Sequence, residues 1–237
     1  MEQNPGGKQS TEAARVADQI VTIDGPSGAG KSTAARLLAS RLGYLYVDTG
    51  AMYRAVALEA ARSGARPEDD AALGAVCAAL ELRLAPAEGG LRVFLRDEDV
   101  SDQIRHPEIG RLASLVSARR PVREALWRLQ RSMGQAGRAV FEGRDTGTVV
   151  LPEARWKFFL TAAVEIRAAR RCLELAARGI EADLETVRQE ILTRDEADSS
   201  RALAPLRPAE DARTIDSSRL DALGVVSQMM RYIQSMP

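Results

Sequence analysis

The sequence predicts a three-layer α/β fold, a parallel sheet between helical layers, with two appendages on one core. Three observations lead there. Short β-rich runs alternate with helical patterns along the chain, as parallel sheets require. Several of those runs are apolar without strict alternation, as expected of strands covered on both faces. A chain of 237 residues, 45% hydrophobic and 28% charged, is long enough for one sizeable soluble core.

Five runs read as strands: "QIVTIDG" (19–25), "YLYVDTG" (44–50), "RAVFEG" (138–143), "WKFFLTA" (156–162) and "RTID" (213–216). Helical patterns follow the first two (Ser32 to Arg41, Met52 to Arg62) and the fourth (Glu165 to Ala177), and another closes the chain. About ninety residues separate the second and third strands, too many for a loop, so this stretch holds structure of its own. Within it "LELRLAPAEGGLRVFLRDEDV" reads as a hairpin around Gly89-Gly90. "PVREALWRLQRSM" reads as a helix with Pro121 in its first turn. A second excursion, Val164 to Pro208, is rich in helix formers and arginine, and Gly179 divides it into two helices. There is no internal repeat.

Composition narrows the function classes. With 33 basic and 33 acidic residues, bulk charge gives no support to a nucleic-acid or membrane-surface role. Cys77 and Cys172 are isolated, without metal-ligand spacing, which fits a reduced cytosolic protein better than a disulfide scaffold. No apolar run approaches the ~18 residues of a membrane span. Residues 1–17 lack an apolar core and read as a flexible tail, not a signal peptide. By elimination the expected location is cytoplasmic.

Gly25-Pro26-Ser27-Gly28-Ala29-Gly30-Lys31-Ser32 matches G-x-x-x-x-G-K-[ST] in full, between a predicted strand and a predicted helix. Glycines let successive backbone N–H groups turn inward around an anion without Cβ clashes. The helix start adds its positive dipole end. Lys31, one of three lysines beside Lys8 and Lys157, supplies a mobile charge, and the Ser32 hydroxyl suits Mg²⁺. The expected ligand of residues 25 to 33, Thr33 included, is a nucleoside triphosphate.

The acceptor is read from the arginines. A hydroxyl acceptor usually has a carboxylate base nearby, whereas a phosphate acceptor is already anionic and needs cationic clamps instead. The single histidine, His106, reads as an exposed loop residue. Arg54 after "DTGAMY", Arg144 in "EGRDTG" and Arg170-Arg171 all fall where loops face a phosphate site. Arg194, Asp198 and Arg201 are spaced to share one helix face. Such a face is either an ion-paired surface or a ribose- and phosphate-binding one.

"IDGPSGAGKST", "YVDTGAMYRAVAL", "EGRDTGTVVLPEA", "RAARRCLEL" and "DSSRALAPLRPAEDA" together resemble the bacterial cytidylate kinases, within the nucleoside monophosphate kinases of the P-loop class, from about Ile20 to the C-terminus. The resemblance implies ATP with Mg²⁺, CMP and dCMP as acceptors, and one domain over 18–237. That domain would hold a five-stranded parallel sheet, an NMP-binding appendage at about 50–135 and a helical lid at about 164–205. It implies that Thr49 and Arg54 serve the acceptor, with Ser114, Arg123 and Asp145 at the cytosine. Arg144 would meet phosphate, Arg194, Asp198 and Arg201 between them phosphate, ribose and base, and Arg170 and Arg171 the ATP phosphates. Lys31, Arg144, Arg170 and Arg194 form the expected catalytic set, with no protein base. Glu142 stands where either acidic residue fits, and little follows from it. A monomer acting on small molecules is expected. Another P-loop kinase, acting on UMP or a hydroxyl metabolite, is the alternative within enzymes. A nucleotide-gated binding module is the alternative outside them, although no NKxD-type guanine motif is present.

Overall fold

A computed structural model describes residues 16–87 and 90–235. The predicted tail therefore lies outside the described residues up to position 15, and so does Gly89 of the predicted turn. Five strands form a wholly parallel sheet in the order β2-β6-β1-β7-β8. They are β1 (Ile20–Asp24), β2 (Leu45–Asp48), β6 (Ala139–Gly143), β7 (Trp156–Thr161) and β8 (Arg213–Asp216). These are the five predicted runs. Successive residues of a strand face opposite layers. Val21, Ile23, Val140 and Phe158 pack against α1 (Lys31–Leu42) and α8 (Ala222–Ser235), through Ala34, Leu38, Val225 and Met229. Ile20, Ala139 and Phe141 face the other way, onto Val150, Leu151 and Trp127. Helices cover both faces, which is the three-layer arrangement.

The long insertion between β2 and β6 is richer than the sequence suggested. It begins with α2 (Thr49–Ser63), capped by Asp48, whose carboxylate accepts from the Ala51 N–H at 2.8 Å. The structure adds α3 (Asp70–Ala78) and α4 (Pro107–Val116), neither of which was predicted, before α5 (Arg120–Gly134). Met52, Val56, Leu73, Val116, Val122 and Leu126 join these helices in a core of their own. The hairpin is β3 (Leu82–Ala87) and β4 (Gly90–Leu95), antiparallel, with a two-residue third strand β5 (Glu98–Asp99) beside β4. His106 is exposed just before α4, as expected. The second excursion is α6 (Val164–Ala176) and α7 (Leu184–Ser200), with Gly179 between them. Ala168, Leu175, Val187 and Ile191 zip the pair together.

Candidate active site

Ligands of open parallel sheets bind beyond the carboxyl ends of the strands. Here those ends carry Asp24 on β1, Asp48 on β2 and Glu142 on β6. Between β1 and α1 the chain makes the glycine-rich turn. Gly25 (φ +147°) is compelled to be glycine, since a Cβ there would lie 2.0 Å from the Leu160 carbonyl oxygen. Lys31 opens α1, is 6% exposed and donates to the Pro26 carbonyl at 2.7 Å. Burial, followed by the neighbouring Arg144, lowers its pKa to about 7.

Glu142, from which the sequence drew little, joins the loop to the sheet. It is 4% exposed and accepts from the Ser32 hydroxyl at 2.9 Å and from the Tyr46 phenol. Burial and then Asp48 raise its pKa, against the pull of Lys31. Its main-chain carbonyl accepts the Thr49 hydroxyl at 2.7 Å. Asp24 fixes the turn after β6 by accepting from Thr146 N–H (3.0 Å), Thr146 Oγ1 (2.8 Å) and Gly147 N–H (2.8 Å). That turn presents Arg144 and Asp145.

Two ion-pair assemblies stand across from the loop. In the first, Asp145 Oδ2 accepts from Arg123 at 2.6 Å and from the Trp127 indole at 3.0 Å, leaving Oδ1 4.0 Å from Arg201. Arg123 is only 1% exposed. It also donates to the Ser117 carbonyl at 2.7 Å and lies over the Tyr53 and Trp127 rings, 5.5 and 5.3 Å from their centroids. In the second, Asp198 accepts from Arg144 at 3.0 Å and Arg201 at 3.4 Å, with Arg194 at 4.0 Å. Burial works to raise the Asp198 pKa, but Arg144, Arg194 and Arg201 together hold it below the ordinary value. α7 ends at Ser200, so Arg201 has left the helix on whose face it was expected, yet it still reaches Asp198.

Arg194 shows what this region is built for. Burial first and Arg144 second lower its pKa to about 10; Asp198 opposes this, and Arg54 and Arg171 add to it. Its buried Nε has no hydrogen-bond partner among the described residues, and neither has that of Arg54. Arg144 and Arg194 also depress Lys31. Lys31, Arg144 and Arg194 therefore repel one another, and Arg54 and Arg171 add to the repulsion at Arg194. Asp198 pairs with Arg144 and lies near Arg194, Asp48 is 2.9 Å from Arg54, Glu174 pairs with Arg171, and Glu142 and Asp24 oppose the depression of Lys31. Such crowding calls for a polyanion.

The remaining predicted residues sit less directly. Arg170 donates to the Ser217 hydroxyl (3.0 Å) and carbonyl (2.7 Å), and Ser217 donates in turn to the Ala29 carbonyl at 3.0 Å. Arg171 pairs with Glu174 at 2.9 Å on the flank of α6. Ser114 is half-buried on α4. Pro26, Ser27, Gly28, Ala29 and Gly30 form the turn itself, and Thr33 follows Ser32 on the exposed side of α1.

The family model for cytidylate kinase matches residues 21–235 of this chain. The chain belongs to the cytidylate kinase family. The cytidylate kinase of Geobacter sp. (strain M21) is 53% identical over 215 residues, spanning 91% of this chain and 92% of its own length. That of Geobacter sulfurreducens is likewise 53% identical, with the same shares covered. The cytidylate kinase of Citrifermentans bemidjiense is 51% identical over 216 residues, covering 91% of each chain. A cytidylate kinase is a nucleoside monophosphate kinase, so the chain is a phosphotransferase. The Glu142, Tyr46 and Asp24 contacts are features of this family member that motif reading did not single out.

Proposed function

We propose that this chain transfers the terminal phosphoryl group of ATP to CMP and dCMP, giving ADP with CDP or dCDP. The supporting observation is the group of cations at the glycine-rich loop: Arg144 and Arg194 depress the pKa of its Lys31, and Arg144, Arg54 and Arg171 depress that of Arg194.

In this reading ATP lies on residues 25 to 33, its phosphates wrapped by the loop's N–H groups and the start of α1. Lys31 exchanges its contact with Pro26 for a phosphate oxygen and is held charged there. Ser32 Oγ and Glu142 Oε2, 2.9 Å apart, are hard oxygen donors of the kind Mg²⁺ prefers, and they would hold it. When bound, Mg²⁺ neutralises charge on the phosphate oxygens. Arg170 and Arg171 meet the ATP phosphates when the 164–205 lid closes, for which Arg170 releases Ser217.

The acceptor lies between the core and the appendage at 50–135. Arg54, Arg144 and Arg194 hold its phosphate, and Asp198 and Arg201 meet the ribose. Thr49 donates to Glu142 and so offers the acceptor a lone pair and a wall. Asp145 Oδ1 accepts from the cytosine amino group, and the ring acceptors are assigned to Ser114 and Arg123. An oxygen of the acceptor phosphate attacks the γ-phosphorus, the bond to the β-γ bridging oxygen breaks, and ADP leaves. That attacking oxygen is already anionic, so no side chain takes a proton. In-line positioning and charge neutralisation supply the rate.

The same reading makes the protein a monomeric cytoplasmic enzyme of pyrimidine nucleotide metabolism. No described helix is long and apolar enough to cross a membrane. The test is a coupled ADP-release assay with ATP, Mg²⁺ and each of CMP, dCMP, UMP, AMP and GMP. CMP and dCMP are expected to lead. ATP turnover indifferent to every monophosphate would overturn the reading.

A further inference from the structure

Arg167 is a buried cation that the reaction above does not use. It lies in the first turn of α6 and its side chain is 8% exposed. Its guanidinium turns inward and spends its hydrogen bonds on the protein. Nε donates to the Ala162 carbonyl at 2.9 Å, and Nη1 donates to the Ser27 carbonyl at 3.2 Å and to Asp195 Oδ2. Loop and helix are in direct contact here, because a Cβ on Gly28 would lie 2.9 Å from Arg167 Cβ. Asp195 is on α7, adjacent to Arg194 and three residues before Asp198. Its Oδ1 is buried without a hydrogen-bond partner among the described residues.

In a planar trans peptide the C=O and the next N–H point in opposite directions. Holding the Ser27 carbonyl outward, toward Arg167, therefore aims the Gly28 N–H into the loop, where the donor phosphates belong. Chains of hydrogen bonds also polarise one another, so an anion on that N–H strengthens the bond from Arg167 to the Ser27 carbonyl. Arg167 is oriented in turn by Asp195. One peptide, one guanidinium and one carboxylate thus join the donor loop to the helix bearing Arg194 and Asp198.

We propose that Arg167 and Asp195 are positioning residues that align the Ser27–Gly28 peptide for the donor phosphates and make donor and acceptor binding cooperative. The proposal rests on the reading that phosphates occupy the loop and CMP the α7 side. Coupling between sites is reciprocal and typically amounts to about five- to 150-fold in affinity.

The experiment is calorimetric titration of the full chain with CMP, in the absence and presence of saturating inorganic tripolyphosphate as the donor probe. The parent is expected to bind CMP at least about fivefold tighter with tripolyphosphate present. Asp195→Asn, equal in size but without the charge, should bind CMP alone within about threefold of the parent and lose the enhancement to below about twofold. Asp195→Glu, which restores the carboxylate, should recover part of it. Arg167→Lys gives the same readout should Asp195→Asn fail to fold, because an ammonium lacks the planar fork that spans these acceptors. Undiminished coupling in these variants overturns the proposal. So does a parent that binds CMP without coupling, or an Asp195→Asn protein that loses CMP binding outright. A parent that binds no CMP at all overturns the functional reading as well, which separates the two failures.

Discussion

Replacing Asp145 with alanine should have two effects that can be measured apart. The first is on stability. Arg123 is 1% exposed and loses the carboxylate it contacts at 2.6 Å. Removing one partner of a buried pair costs about 3–5 kcal/mol, because the other charge stays buried without compensation. For a domain of this size that lowers Tm by about 6–20 °C. The second effect is on base selection. Oδ2 is occupied by Arg123 and Trp127, so Oδ1 is the oxygen left to accept from the cytosine amino group. Uracil has a carbonyl there and opposes it lone pair to lone pair. An unpaired buried polar group costs about 1–3 kcal/mol, so the ratio of kcat/KM for CMP to that for UMP should fall roughly five- to 150-fold in Asp145→Ala. A thermal melt reads the first effect. Steady-state rates with both nucleotides, taken well below the mutant's Tm, read the second. A lowered Tm with an unchanged CMP-to-UMP ratio would show that Asp145 supports Arg123 and does not read the base.

Two further outcomes follow from the loop and its carboxylate. With its pKa near 7 in the ligand-free protein, Lys31 is increasingly neutral above that pH, and phosphate binding restores its charge. ATP binding at pH 8 should therefore take up close to one proton, and its affinity should decline as pH rises through 7. Titration calorimetry in buffers of different ionisation enthalpy measures this, and zero uptake at pH 8 would contradict the assignment. Glu142→Gln keeps the shape that Ser32 and Tyr46 contact but removes the charge; the Mg²⁺ concentration for half-maximal rate should rise about tenfold or more with little change in KM for CMP. An unaltered Mg²⁺ dependence would leave Glu142 a scaffold residue only.

What the sequence conveys here depends on how local the physics is. The five sheet strands were legible because a strand covered on both faces is a short unbroken apolar run, bounded by turns. α3 was not, since "DAALGAVCA" is small-residue and apolar nearly all round, offering no stripe, with only Asp69 as a cap to mark its start. β5 is two residues long and exists by pairing with β4 alone. Within the site, the glycine loop was legible as a contiguous motif. Glu142, Asp24 and Arg167 were not, for their partners Ser32, Thr146 and Ser27 stand 110, 122 and 140 residues away. The one sequence signal for Glu142 is its position at the end of a strand adjoining β1.

The arginine pairing also explains how such a site stays folded before its nucleotides arrive. Guanidiniums facing one another with no anion between them would repel and remain hydrated, and each would then need desolvation during binding. Here Asp198 stands in for phosphate toward Arg144, Arg194 and Arg201, and Asp48 does so toward Arg54. The carboxylates fix the side chains where phosphate oxygens will lie, and they leave the Arg54 and Arg194 Nε groups without hydrogen-bond partners among the described residues. Asp198 alone cannot neutralise Arg144, Arg194 and Arg201, so an attraction for polyanions persists after this ordering. That residual charge, held in place by Asp24 and Asp48 beneath it, lets two anionic substrates approach end to end. It acts most strongly when both are present, because neither phosphate group alone satisfies all the donors.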